Sequence, residues 1–201
     1  ENCFMSKLRQ TPSQTVGPFF AYALTPEQYG YDFASIADGA LVEGDVPGQR
    51  IRIEGRVFDG NGDVVPDAMI EIWQADEQGR YAHPADPRGS NVGFKGFGRM
   101  GTGTDAEQRF IFGTIKPGSV DGAQAPHINV IVFMRGLLLH AYTRMYFSDE
   151  AAANARDPVL ASVPAERRHT LIAVKDETSA GAVYRFGIHM QGPNETVFFD
   201  V

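Results

Sequence analysis

From Arg50 onward the chain consists of short apolar runs with a two-residue period, each stopped by glycine, asparagine, aspartate or proline. A period of two puts alternate side chains on opposite faces of an extended backbone, so such runs make half-buried strands and not helices. In Arg50–Phe58, Ile51, Ile53 and Val57 alternate with Arg52, Glu54 and Arg56. Asp59-Gly60-Asn61-Gly62 then supplies a turn, because Gly and Asn tolerate positive φ, and Ala68–Gln74 is predicted as the return strand. Another turn is predicted at Asp76–Gly79, just before Tyr81. Further strands are predicted at Arg109–Ile115, and at His127–Phe133 and Leu137–Phe147, a central hairpin turned at Arg135-Gly136. Leu171–Lys175 and Val183–Met190 read as another hairpin, and Thr196–Val201 as a terminal strand. Gly89–Gly103 reads as a glycine-rich loop, without the strand-to-helix setting of a phosphate loop. Short strands at this spacing imply an all-β protein, a β-sandwich.

Residues 1–49 differ. Pro12, Gly17-Pro18, Pro26, Gly30 and Gly39 interrupt any period, so this stretch reads as an irregular N-terminal arm with a helical turn near Thr25–Gln28. An arm of that length in a compact domain is usually functional or docked onto something else. Residues 50–201 form the sandwich domain, with short helices inserted. Ser148 is expected to cap a helix through Arg156 that Asp157-Pro158 ends, and Ser162-Val163-Pro164 to open a second helical piece before Thr170. Arg167-Arg168-His169 is expected to be a solvated helix face or a subunit contact, and Trp73 to pack in a core or interface.

The net charge of -7 argues against nucleic acid or an anionic membrane as partner, since both require clustered Lys and Arg. Cys3 is the single cysteine, so no internal disulfide can form. No apolar run approaches the roughly 18 residues of a membrane helix, and no secretory signal is visible, so the cytoplasm is the expected compartment. Glu1-Asn2-Cys3-Phe4 precede Met5, which is expected to be the native start, leaving a natural chain without cysteine.

Seven motifs run in order from Thr11 to the C-terminus: Thr11-Pro12-Ser13-Gln14-Thr15-Val16-Gly17-Pro18, Val57-Phe58-Asp59-Gly60-Asn61-Gly62, Ile70-Glu71-Ile72-Trp73-Gln74-Ala75-Asp76, Thr114-Ile115-Lys116-Pro117-Gly118, Ala125-Pro126-His127-Ile128-Asn129, Arg144-Met145-Tyr146-Phe147 and Glu195-Thr196-Val197-Phe198-Phe199-Asp200. In this order they resemble the intradiol ring-cleavage dioxygenases, and among them the alpha chains of the hetero-oligomeric members that act on protocatechuate. The resemblance implies a β-sandwich and a reaction that cleaves a catechol between its hydroxylated carbons with O2 and non-haem Fe(III). It implies a place in aromatic catabolism, with 3-carboxy-cis,cis-muconate as product.

Catalytic members hold the ferric ion with tyrosinates and imidazoles, a donor set suited to a hard ion. By resemblance Tyr81 stands at the first tyrosine ligand and His127 at the first histidine ligand, while Val120 and Asn129 stand where the other tyrosine and histidine belong. Gln124 stands at a position that is basic in the enzymes. His127 and Asn129, two apart on a strand, share a face, so the frame for a ligand pair survives without the second imidazole. No functional iron site is therefore expected in this chain; the Fe(III) is expected in a homologous beta chain, its partner.

The resemblance gives the alpha chain a different task, which is to complete the beta chain's substrate pocket. Thr15, Gly17 and Pro18 of the arm are expected to line it, and Arg144 to meet the protocatechuate carboxylate with its planar fork. At the next arm position Phe19 replaces a tyrosine frequent in alpha chains. Along the strand, His140, Tyr142, Arg144 and Tyr146 make a polar-aromatic face. Two other readings stand beside this one: a stand-alone binding or structural β-sandwich, and an independent metalloenzyme built on Tyr81, His83, His127 and His140.

Overall fold

Ile51 and Ile53 of β1 (Arg50–Gly55) are buried between exposed Arg50 and Arg52, the alternation that a half-buried strand requires. β1 lies between β5 (Phe110–Ile115), antiparallel to it, and β9 (Gly181–Arg185), parallel to it; β9 turns back from β8 (Ile172–Thr178). A second set runs β4 (Phe97–Gly101), β3 (Met69–Trp73), β6 (His127–Phe133), β7 (Ala141–Phe147), all antiparallel. The computed structural model describes residues 10–17 and 19–201. A short parallel pairing of Tyr146 and Phe147 with Ile172 and Ala173 joins the two sets into the order β4-β3-β6-β7-β8-β9-β1-β5. They fold over one core, with Ile53, Phe110, Phe112 and Tyr184 from one half meeting Ile70, Ile128, Val130 and Met145 from the other. The result is the expected all-β sandwich. Among the described residues no helix is long and apolar enough to cross a membrane.

At the open edge the N-terminal segment closes the sandwich. Leu41 donates to the Gly113 carbonyl, Gly113 donates to that of Gly39, and Arg99 donates to that of Asp38. Lys95 donates to the Leu41 carbonyl, and the Leu41 side chain is fully buried in the core. The arm thus enters the domain well before Arg50. Further out, α1 (Phe20–Leu24) and a 3-10 turn at Glu27–Tyr29 provide the helical element, slightly earlier and longer than Thr25–Gln28. Pro18 and residues 1–5, including Cys3 and the expected start at Met5, lie outside the described residues.

Several predicted elements need correction. Arg50–Phe58 is not one strand: it breaks at Arg56, and β2 (Val57–Phe58) leaves to pair with β10 (Ile188–His189). Gly55 marks the break, since a Cβ there would fall 1.8 Å from the Phe186 carbonyl oxygen. Ala68–Gln74 does contain β3, but β3 is not the return strand of β1; its neighbours are β4 and β6. The glycine-rich stretch holds β4, because Gly98 lets Leu41 and Phe112 press against the backbone where a Cβ would meet Leu41 Cδ1 at 2.5 Å. Leu137–Phe147 loses its first four residues to the turn, and Val183–Met190 divides into β9 and β10. Thr196–Val201 contributes one bridge, Phe199 to Tyr142.

Ser148 does not cap a helix; its hydroxyl accepts from the Lys175 amide, and a 3-10 turn leads into the short α2 (Ala151–Asn154). Asp157-Pro158 starts a helix, α3 (Pro158–Ser162): Asp157 accepts from the Leu160 amide and Pro158 occupies the first turn, where no N–H is needed. The Arg167-Arg168 pair lies on a 3-10 helix spent on carbonyls, Arg167 on that of Glu195 and Arg168 on those of Val163 and Ala161.

Candidate functional site

Asp76, fully buried at the end of β3, organises the loop that presents Tyr81. Its Oδ1 accepts from the Gln78 and Arg80 amides, its Oδ2 from Arg80 Nε, and its carbonyl from the Gly79 and Gly118 amides. Gly79 takes φ +76° and Gly118 faces it, so the two loops touch backbone to backbone. Arg88 fastens them from outside, donating to the carbonyls of Gly79 and Val120, while Asp86 accepts from the Tyr81 amide. The Arg88 guanidinium holds the Asp86 carboxyl well below the usual carboxylate range. Tyr81 and Val120 therefore sit on two clamped loops, one on each.

The Tyr81 ring stacks on Trp73, with centroids 5.6 Å apart and planes 11° from parallel. Trp73 is half-buried and serves as the platform under this loop. Burial pushes the Tyr81 phenol up, against a hydrogen bond with the Asn129 amide and the Arg144 charge. The group is thus a neutral phenol. His127 is buried at the start of β6, with Nδ1 2.8 Å from the Ala125 carbonyl, which fixes the proton on Nδ1. Burial lowers its pKa, so the imidazole is held neutral. Behind it, burial pushes the Tyr146 phenol up to about 12, and its hydroxyl donates to Asp157. Asp157 also accepts from the Ala125 amide, tying α3 to the segment that carries His127.

Asn129 is paired with Arg144 across β6 and β7. Arg144 Nη1 donates to Gln124 Oε1 at 2.8 Å, and the Arg144 charge acts on Tyr81, His127 and Tyr146. The four sequence-identified positions Tyr81, Val120, His127 and Asn129 are thus brought to one place, and Arg144 supplies the cation there. The donors present, a single phenol and a single imidazole next to a guanidinium, are too few for a trivalent ion, which takes several anionic oxygens, and the fixed positive charge opposes it. Among the described residues no group of three or more His, Cys, Asp or Glu is placed to hold a metal.

The alternative set with His83 and His140 is not assembled. His83 is exposed, accepting from the Ala85 amide with its ring edge-on to Trp73. His140 precedes β7 at the far end of the hairpin, against Tyr142 and Phe133. Val132 pairs with Ala141 there, whereas His127 pairs with Tyr146 at the opposite end, roughly 17 Å away at about 3.3 Å per residue. Thr15 and Gly17 are exposed; Thr15 Oγ1 accepts from the Gly136 amide in the β6–β7 turn at 2.9 Å. Neither hydrogen-bonds to Arg144 within this chain. Arg144 instead lines a cavity of about 660 Å³ with Trp73, Phe97, Tyr142 and Phe199. Asp157, expected to end a helix, instead starts one and ties it to the segment that carries His127; an Asp-Pro step ahead of an apolar residue is also a helix-start signal. Nothing in the sequence joins Gln124 to Arg144.

Residues 26–192 match the family model described as dioxygenase. The protocatechuate 3,4-dioxygenase alpha chain of Burkholderia cepacia is 56% identical, over 98% of this chain and the whole of that one. The beta chain of the same organism's enzyme is 34% identical over 80% of this chain and 72% of its own length. An intradiol ring-cleavage dioxygenase from Tetranychus urticae shares the fold, with a TM-score of 0.55, 20% identity, and coverage of 90% of this chain and 94% of that one. The chain belongs to the dioxygenase family that the intradiol ring-cleaving enzymes share.

Proposed function

We propose that this chain is the alpha subunit of a protocatechuate 3,4-dioxygenase, and that it completes the active site of an iron-bearing beta chain. The observation that carries the reading is the end-to-end identity of 56% with an alpha chain; Val120 and Asn129 at the two positions that the resemblance gives to iron ligands support placing the metal in the partner. The ferric ion, when bound in the beta chain, supplies a site for the catechol dianion and its attack by O2. This chain's own residues bind and orient. Thr15, Gly17 and Pro18 bring a stiff arm segment with little side chain against the planar ring. Arg144 offers a guanidinium to the substrate carboxylate, a local positive charge in a chain of net charge -7. The cytoplasm suits a chain with no pair of cysteines to form a disulfide.

Iron content, visible absorption and O2 uptake with protocatechuate test this, measured on the chain alone and on the chain co-expressed with its candidate beta chain. The expected result is an iron-free, inactive chain alone and an iron-bearing, active complex. Stoichiometric iron with a tyrosinate absorption band in the chain alone would overturn the assignment of the metal to the partner. A chain that never joins a beta chain would return the molecule to the reading of a stand-alone binding sandwich.

A further inference from the structure

Arg144 is half-buried, lines the 660 Å³ cavity together with Asp200 and the C-terminal Val201, and makes no ion pair with a carboxylate among the described residues. A guanidinium in that setting normally acquires an acidic partner, because an unpaired charge is costly to bury. Here its acceptor is neutral: Gln124 Oε1, at 2.8 Å. Gln124 is itself fixed at three points. Its amide N–H donates to Asp121 Oδ1 at 2.8 Å, its Nε2 donates to Asp121 Oδ2 at 3.1 Å, and its carbonyl accepts from Ser119 Oγ at 2.6 Å. Asp121 is held in turn by the Ala123 amide. Since Nε2 is committed to a carboxylate, the amide can only present its oxygen to Arg144, so the orientation of the Gln124 side chain is determined.

We propose that Gln124 is a positioning residue that holds the Arg144 guanidinium in place while leaving its charge unneutralised, so that the carboxylate of the substrate becomes its counterion. The inference rests on the proposed role of Arg144 and adds the reason why the residue beside it is an amide. A glutamate at 124 would hold the guanidinium as well but would compete with the substrate carboxylate. A lysine or arginine would repel it. A leucine would leave it free to turn among its rotamers. The neutral amide oxygen orients the guanidinium through Nη1 and leaves its charge available.

The complex of this chain with its beta chain tests this, in the Q124E, Q124L and R144A forms. The readout is the affinity for a catechol carrying a ring carboxylate relative to that for unsubstituted catechol, both as competitive ligands, together with KM and kcat for protocatechuate. Q124E is expected to weaken carboxylated-ligand binding about tenfold, the size of one charge-assisted hydrogen bond, with unsubstituted catechol unmoved. Q124L is expected to weaken it less, and both to act on KM and not on kcat. The double variant Q124E/D121N reproduces the Asp121 contact with donor and acceptor exchanged and keeps the neutralising charge, so it is expected to stay as weak as Q124E. Recovery of affinity in that double variant would show that only the loop geometry matters and would overturn the proposal. So would a Q124E complex whose preference for the carboxylate is intact while R144A has lost it; the role of Arg144 would then stand without Gln124. An R144A complex with the preference intact would remove the Arg144 role and this inference together.

Discussion

The loops that carry Tyr81 and Val120 and the strands that carry Asn129 and Arg144 meet at one point, yet they are constrained in opposite ways. The loops are packed backbone to backbone: a Cβ on Gly79 would lie 1.9 Å from the Ser119 carbonyl oxygen, and one on Gly118 would lie 2.3 Å from that of Glu77. Asp76 and the Asp86–Arg88 pair hold the same loops through main-chain groups, whatever side chains project from positions 81 and 120. The strand positions are set by ladder pairing, which is also indifferent to side chains, and both Asn129 and Arg144 point into half-open space. The frame is therefore held by main-chain contacts, by the glycines that admit them and by the Asp76, Asp86 and Arg88 side chains that bond to them, and the side chains at positions 81, 120 and 129 take no part in those contacts. Side chains at those positions can change with the main-chain contacts of the frame intact, because the two depend on different atoms.

The sharpest way to break this contrast is to change the frame. Gly79→Ala forces a side chain into a position at φ +76° that is also occupied by a carbonyl, and should cost about 3 kcal/mol or more. Denaturant unfolding measures it. A loss under about 1 kcal/mol would mean that the loops can part and the frame is softer than described.

Asp157→Ala comes next. Asp157 is fully buried and serves two backbone amides, of Ala125 and Leu160, and the Tyr146 hydroxyl. Removing it strands three donors and should cost about 3 kcal/mol, with Asp157→Asn milder, in the same unfolding measurement. Equal losses for the two variants would show that shape and not acceptor capacity matters there.

His127 belongs to both regions, and its effect is smaller and pH-dependent. Around it lie Arg144, which lowers its pKa, Asp157 and Asp121, which raise it, and Tyr146. Burial dominates, and the folded imidazole has a pKa below the ordinary value. Above about pH 6.5 both folded and unfolded states are neutral; below it the unfolded chain takes a proton that the folded chain refuses. Stability contributed by the neutral ring is thus present above the ordinary histidine value and is lost as pH falls toward the lowered one. His127→Gln should flatten the fall in that window relative to the parent chain, read from unfolding midpoints between pH 7 and 5. Parallel curves would place the titration elsewhere.

How much of this was legible in the sequence follows the same division. Period-two runs gave the all-β class, and the resemblance to the intradiol dioxygenases gave the positions Tyr81, Val120, His127 and Asn129. The strand partners were not legible, because β1 pairs with β5 and β9, far along the chain, and no local pattern states that. β4 was hidden because its glycines look like loop, whereas Gly98 is there to admit Leu41 and Phe112. Gln124 could be read as the loss of a basic residue but not as the holder of Arg144, since that contact joins a loop to a strand through side chains alone.

The smallest expected effect tests the filling. Val120→Tyr with Asn129→His restores both donor types at half-buried positions without touching the glycine contacts or the ladder, so stability should change by about 1 kcal/mol or less. The donors alone should not suffice for iron. Arg144, paired with position 129, keeps a fixed positive charge next to any trivalent ion, and like charges at that range oppose each other strongly in a partly buried site. Adding Arg144→Gln to the double variant should therefore raise ferric affinity, seen as a visible tyrosinate band in an iron titration, while the double variant alone binds more weakly. Equal binding by the two would mean that Arg144 swings clear of the centre, and that its place there is not what separates this chain's site from those of its iron-binding relatives.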